Sequence, residues 1–112
     1  MAEPWAVPPS AKEATSPLPT SERALVFAKA TYEILCEGCH GTTGDGRGAH
    51  AVKHSLPSVD IGSAVVQAQT DGEIFWKISN GKGAMPNWQS ILPVEDRWRL
   101  VMFVRTLKRP VH

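Results

Sequence analysis

The chain has two cysteines, and a histidine directly follows the second one. All three lie in the stretch CEGCHGTTGDGRG, which runs from Cys36 to Gly48. Cysteines spaced in this way are about one helical turn apart, so both sulfurs can lie on the same side of the chain. Each can add to one vinyl group of a porphyrin, and His40 then lies where its imidazole can coordinate the iron. The spacing therefore predicts covalent haem attachment through Cys36 and Cys39.

Three other uses of these residues fit the sequence less well. A thioredoxin-like Cys-x-x-Cys pair opens a helix after a strand, in an alternating β/α pattern, whereas this pair follows a predicted helix. A structural zinc site usually takes four ligands, often as two separated pairs, and this chain has one pair and scattered histidines. A disulfide would leave His40 without a role. Haem is the favoured interpretation.

A methionine in a glycine-rich segment is the candidate for the second axial position of the iron. Met85 lies in GKGAMP, from Gly81 to Pro86, whereas Met1 is terminal and Met102 lies in a predicted helix. The glycines allow the backbone to curve towards a flat cofactor, and a thioether ligand raises the reduction potential. The open alternatives are a core-filling role for Met85 and ligation by one of two loop histidines, His50 and His54.

Three helices are predicted, with little strand signal. The first spans about 21–35, with Ser21 as its cap. The second begins at the capping box of Thr70 and Glu73 and ends at Asn80-Gly81. The third spans about 93–107, with acidic residues at its start and basic residues at its end. Residues 41–69 look irregular. The apolar faces contain Ala24, Ala28, Tyr32 and Leu35; Ile74, Phe75 and Ile78; and Leu100, Phe103, Val104 and Leu107.

Composition limits the class of protein. The 112 residues suit one domain, and a net charge of +1 gives no bulk attraction to nucleic acid or an anionic membrane. No apolar run reaches the roughly 18 residues of a membrane span. Five of the nine prolines lie in residues 1–20, which we interpret as an extended arm or linker before a domain at 21–112. Trp5 and Val7 could dock this arm, or it could be a disordered leader.

The chain resembles class I cytochrome c, a small, monohaem and mostly helical family. The resemblance covers about 21–107 and is carried by four features in order: CEGCH, the GTTGDGRG loop, DGEIFWKISNGKGAMPNW and EDRWRLVMFVRTL. It implies an all-α fold in which three main helices pack around one covalently bound haem c, with long irregular loops. It also implies that the first and last helices cross, with contacts among Ala28, Tyr32, Leu100 and Phe103.

The resemblance extends to residues around the haem. The proximal histidine of this family donates its second ring N–H to a proline carbonyl, for which Pro57 is the candidate, and such a bond sets the orientation of the imidazole. Ile78, Trp76 and Trp88 are expected to line the haem, although either tryptophan could instead be a core residue.

The function implied is one-electron transfer by a haem with His40 and Met85 as ligands, not enzymatic catalysis. The alternatives are a haem domain of a larger fused reductase or complex, and an open-site haem enzyme or gas sensor. Redox proteins such as an oxidase, a reductase or a membrane complex are the expected partners. Lys53, Lys77 and Lys82 could rim the haem edge, but ordinary solvated charges are favoured. Because haem c is attached after export, a periplasmic or otherwise exported protein without its signal peptide is expected.

Overall fold

The fold is all-α, as predicted. The computed structural model describes residues 6–109, and within this range it contains seven α-helices, one 3-10 helix and no strand. The three predicted helices are the three longest, and each observed boundary lies within one or two residues of the predicted one. In chain order the elements are α1 (Pro9–Lys12), α2 (Glu22–Leu35), α3 (Glu37–His40), α4 (Ala49–Lys53), α5 (Ala64–Gln67), α6 (Asp71–Asn80), the 3-10 helix Trp88–Ser90, and α7 (Val94–Thr106).

Local sequence signals set the ends of the long helices. The Ser21 hydroxyl accepts a hydrogen bond from the Ala24 amide at 3.1 Å and caps α2. Both bonds of the capping box between Thr70 and Glu73 are present at the start of α6. The same helix ends at Gly81, whose φ of 67° is a left-handed conformation that favours glycine.

The crossing of α2 and α7 forms the centre of the core. Ala28 is fully buried in this crossing, and its small side chain allows the two helices to approach closely. The Tyr32 and Phe103 rings pack with their centroids 4.7 Å apart, and Leu100 is 2 % exposed. The crossing implied by the resemblance is therefore present.

Residues 41–69 are less irregular than predicted, because they contain two short helices, α4 and α5. Each of these helices has only one turn or little more, which is too short to give a periodic apolar pattern. Ser63 caps α5 by accepting a hydrogen bond from the Val66 amide at 3.4 Å. The Ile61 amide donates to the Gly44 carbonyl at 2.7 Å and holds the two ends of the intervening loop together.

The N-terminal arm packs against the start of α6. The prediction of an extended arm is wrong for Pro9–Lys12, which form α1, because a proline in the first turn of a helix loses no intrahelical hydrogen bond. The Thr70 hydroxyl donates to the Lys12 carbonyl at 2.8 Å, and Val7 is 9 % exposed. Trp5 lies outside the described residues, and the division of the chain at residue 20 stays a prediction. Between residues 6 and 109, no helix has the length and apolar character needed to cross a bilayer.

Candidate functional site

An apolar cavity of about 250 Å³ lies between the end of α2, the inner faces of α6 and α7, and two loops. It brings together four of the predicted site residues, which come from separate parts of the chain. The predicted residues in its wall are Cys36, His40, Ile78 and Met85. The others are Tyr32, Val59, Ile61, Val66, Gln69, Ile74, Lys77, Leu100 and Val104.

The Cys36–His40 segment continues the helical path of α2. The Cys36 amide donates to the Tyr32 carbonyl at 2.8 Å, and the His40 amide donates to the Cys36 carbonyl at 2.9 Å. Both cysteines are free thiols and partly buried. Cys36 lines the cavity, whereas Cys39 is not among its lining residues. One helical turn thus carries both thiols and the imidazole, and Cys36 and His40 of this turn lie in the cavity wall.

The electrostatics of this turn argue against a redox-active dithiol. Burial, with a smaller contribution from the neighbouring Cys39, raises the pKa of the Cys36 thiol to about 12. Reactive Cys-x-x-Cys pairs have a lowered thiol pKa instead. Residues 6–109 also contain no group of three or more cysteine, histidine or acidic side chains placed to hold a metal, whereas a structural zinc site usually takes four ligands.

His40 presents a neutral imidazole to the cavity. Burial lowers the pKa of His40, although a backbone hydrogen bond to Val59 opposes this effect. The Nδ1 atom lies 3.2 Å from the Val59 carbonyl oxygen and 3.3 Å from the Ser58 hydroxyl. A carbonyl can only accept, so the proton belongs on Nδ1 and the lone pair of Nε2 is left to bind a metal.

The acceptor at His40 corrects the prediction for Pro57, since it is the carbonyl of Val59 that lies at Nδ1. Two contacts fix the position of residues 58–61, so that Val59 and not Pro57 faces His40. The end of this segment is held at Ile61 by the bond to Gly44, and the Ser58 backbone passes so close to Gly46 that no side chain would fit there. These contacts join the glycine loop after His40 to residues 58–61, which are distant in the sequence, so the motif alone could not distinguish two nearby carbonyls.

Met85 reaches the same cavity from a tight loop. The Lys82 amide donates to the Met85 carbonyl at 3.1 Å, and the Met85 amide donates back to the Lys82 carbonyl at 3.0 Å. Gly81 and Gly83, with φ of 67° and 58°, supply the turn. His40 and Met85 therefore line one cavity, although they are far apart in the sequence.

The remaining candidates lie outside the cavity wall. Trp88 is 8 % exposed and packs in the core with Trp98, and Trp76 lies partly buried on α6. His50 and His54 are exposed on and just after α4, with their rings 4.4 Å apart. Met102 lines a different cavity, beside α7 and the arm, and Met1 is outside the described residues. Of the possible second ligands that the structure describes, Met85 is the one in the wall with His40.

Two polar residues, Lys77 and Gln69, lie in the cavity wall. The sequence favours an ordinary solvated charge at Lys77 and gives no prediction for Gln69. The Lys77 ammonium donates to the Gln69 side-chain oxygen at 2.7 Å, and burial lowers the pKa of Lys77. Lys77 lies between Ile74 and Ile78 on α6, so its position within the buried face of the helix was a signal available in the sequence. Lys53 and Lys82 are exposed.

The comparisons with known proteins agree with this site. A family model described as cytochrome c oxidase, cbb3-type, subunit III matches residues 27–104. The chain belongs to this cytochrome c family. Cytochrome c6 of Chlorolobion braunii is 29 % identical over 80 residues, which cover 67 % of this chain and 81 % of the relative.

Solved structures share the fold. The KustC0563 c-type cytochrome is 26 % identical with a TM-score of 0.64, and the match covers 73 % of this chain and 98 % of that one. A chain of the Kuenenia stuttgartiensis reducing HAO-like protein complex Kustc0457/Kustc0458 has a TM-score of 0.70 at 24 % identity. That match covers 84 % of this chain and 48 % of the other, and it supports the fold alone.

Membership of this family means that the chain carries haem c, bound covalently, and that it functions in electron transfer. The donor set of the site fits such a group. The Cys36 thiol, the His40 imidazole and the Met85 thioether line one apolar cavity, and the Cys39 thiol lies on the same helical turn with the required spacing.

Proposed function

We propose that this protein is a one-electron carrier in which His40 and Met85 are the axial ligands of the haem iron, and Cys36 and Cys39 form the thioethers. One observation carries the proposal: residues from two distant segments, His40 and Met85, line a single apolar cavity together with Cys36. A histidine and a methionine are the ligand pair that raises the potential of electron-transferring haem.

The bound haem supplies an iron that cycles between its ferric and ferrous forms. The side chains of this protein orient and shield it. The Val59 carbonyl accepts a hydrogen bond from the Nδ1–H group of His40 and sets the direction of its Nε2 atom. Ile74, Ile78 and Leu100 line the cavity with apolar groups and limit access of water, and low polarity around a haem favours the less charged ferrous form.

The absorption spectrum of the ferric holoprotein tests the ligand pair. A weak far-red band from sulfur-bound iron is expected in the wild type and in Met102→Ala, a matched loss of a methionine outside the site. Met85→Ala should lose that band, and its ferrous form should bind carbon monoxide rapidly. A high-spin wild-type spectrum, or an unchanged band in Met85→Ala, would remove Met85 from the iron.

Membership of the same family supports our proposal for the wider setting of the carrier. Haem c is attached outside the cytoplasm, so we place the protein in the periplasm or another exported compartment. We assign residues 21–112 to the haem domain and residues 1–20 to an arm. The partners of this protein are redox proteins that dock briefly through a small interface.

A second candidate function is a haem domain or subunit of a larger oxidoreductase. The observation in its favour is the description of the matching family, which names an oxidase subunit. Haem staining after native electrophoresis of the protein from its source distinguishes the two. A stained band at the monomer mass supports the free carrier, and a stained band only at the mass of an assembly supports the subunit.

A further inference from the structure

A buried arginine lies on α7, close to the loop that carries Met85. Arg97 is 9 % exposed. Within residues 6–109, the ion pairs of this helix join Arg99 to Asp96 and Arg105 to Asp71, and none includes Arg97. Burial of a cation without a carboxylate costs free energy, and an apolar residue of similar volume would often pack at lower cost. The position of this guanidinium therefore calls for a specific role.

The hydrogen bonds of Arg97 define that role. Its Nη1 atom donates to the Ser79 hydroxyl at 2.6 Å, and its Nε atom donates to the Leu92 carbonyl at 3.2 Å. Its Cζ atom lies 5.1 Å from the centre of the Phe75 ring. Ser79 and Leu92 flank residues 80–91, the segment that contains Met85. A single guanidinium thus holds both ends of the methionine loop to α7.

The interior of the loop has its own constraints. The paired backbone bonds between Lys82 and Met85 close the tip, and Gly81 packs directly against the Pro86 backbone. The Leu92 amide donates to the Trp88 carbonyl at 2.8 Å near the exit. These contacts lie within the loop and near its exit, whereas the bonds of Arg97 join its two flanks to α7.

We propose that Arg97 is a positioning residue that keeps the Met85 loop closed over the cavity and so keeps the thioether on the iron. This inference rests on the proposed ligation by Met85. The fork of N–H donors makes arginine suited to this task, because two groups of fixed direction are bound at once. Without it, the buried Ser79 hydroxyl and Leu92 carbonyl lose a charged donor, which disfavours the closed loop.

Competition with imidazole measures the closed state of the loop. Imidazole can bind the ferric iron only when the loop opens and Met85 leaves, so its apparent affinity rises in proportion to the open population. In Arg97→Gln, we expect the imidazole concentration that removes half of the far-red band to fall about tenfold to a hundredfold, the equilibrium equivalent of losing bonds to a charged donor. Arg97→Lys, which can hold one partner, should show a smaller fall.

Arg105→Gln is the matched control. This arginine lies on the same helix and binds Asp71 together with the carbonyls of Gln67 and Gln69, away from the methionine loop. We expect Arg105→Gln to lower the free energy of unfolding in urea without changing the half-displacing imidazole concentration. If Arg97→Gln changes imidazole binding no more than this control, Arg97 is only structural and the proposal is overturned.

Two further variants separate the possible failures. Should Arg97→Gln fail to fold, Ser79→Ala removes one acceptor while the arginine stays, and it must also lower the half-displacing concentration; an unchanged value overturns the proposal. Met85→Ala tests the ligand itself. If the wild type and Met85→Ala bind imidazole equally well, the assignment of Met85 fails, and the role of Arg97 fails with it. If Met85→Ala differs from the wild type in imidazole binding but the Arg97 variants do not, the ligation by Met85 stands and the role of Arg97 is overturned.

Discussion

The two ligand-bearing segments of the cavity are built in different ways. Cys36–His40 is a helical turn that continues α2, and its backbone hydrogen bonds join residues close in sequence. Met85 lies in a loop whose ends are held by Arg97 on another helix. The backbone of the first segment is therefore set by local structure, whereas the position of the second depends on tertiary contacts. Changes to the first should abolish the cofactor, whereas changes to the second should adjust its properties.

The largest effect is expected from removing both thiols of the helical turn. In Cys36→Ser combined with Cys39→Ser, no thioether can form, so acidic organic solvent should extract all of the haem. Intact-mass analysis of the polypeptide then gives the mass of the amino acids alone. The wild type, produced in the same host with haem c maturation, should retain the added mass of one haem.

Loss of the methionine should have a smaller effect, because the haem stays attached. In Met85→Ala we expect a reduction potential lower by on the order of a hundred millivolts, since the thioether favours ferrous iron. Potentiometric titration of this variant, the wild type and Met102→Ala measures the change. Equal potentials in all three proteins would mean that the Met85 loop does not adjust the reduction potential of the haem.

The same contrast explains which features could be predicted from the sequence. CEGCH, the capping box at Thr70 and the glycines around Met85 are local signals, and each led to the correct element. The acceptor at His40 could not be predicted, because Val59 reaches Nδ1 only through contacts of its loop with Gly44 and Gly46. The packing of the arm on α6 likewise depends on tertiary contacts that no periodic pattern reveals.

Tyr32 joins the Cys36–His40 turn to the core, so removing its hydroxyl tests how strongly this turn is held. The hydroxyl donates to the Gly41 carbonyl at 2.5 Å, directly after His40, while the ring packs on Phe103. Tyr32→Phe keeps the ring and removes the bond, so we expect the free energy of unfolding to fall by about 1–2 kcal/mol. Urea titration of the holoprotein measures this change.

Phe103→Leu provides the comparison for Tyr32→Phe, since it changes the ring contact and leaves the hydroxyl in place. It should also destabilise the protein, but the far-red band should be unaffected in both variants, because neither substitution removes a hydrogen bond of the Met85 loop. Selective loss of that band in Tyr32→Phe would show that the Cys36–His40 turn and the Met85 loop do not behave independently.

The smallest effect concerns the loop that supports His40. Asp60 accepts hydrogen bonds from the Arg109 guanidinium and from the Gly62 amide, and the bond from Arg109 is the main cause of the lowered pKa of Asp60. A carboxyl with a lower pKa in the folded state stabilises the protein above its unfolded pKa, and this contribution is lost as pH falls through the folded value. Asp60→Asn should therefore be slightly less stable than the wild type at pH 7. The difference should close below the ordinary pKa of 3.8. Urea titrations at a series of pH values measure it, and a difference that stays constant into acid would show that the charge of Asp60 does not hold this loop.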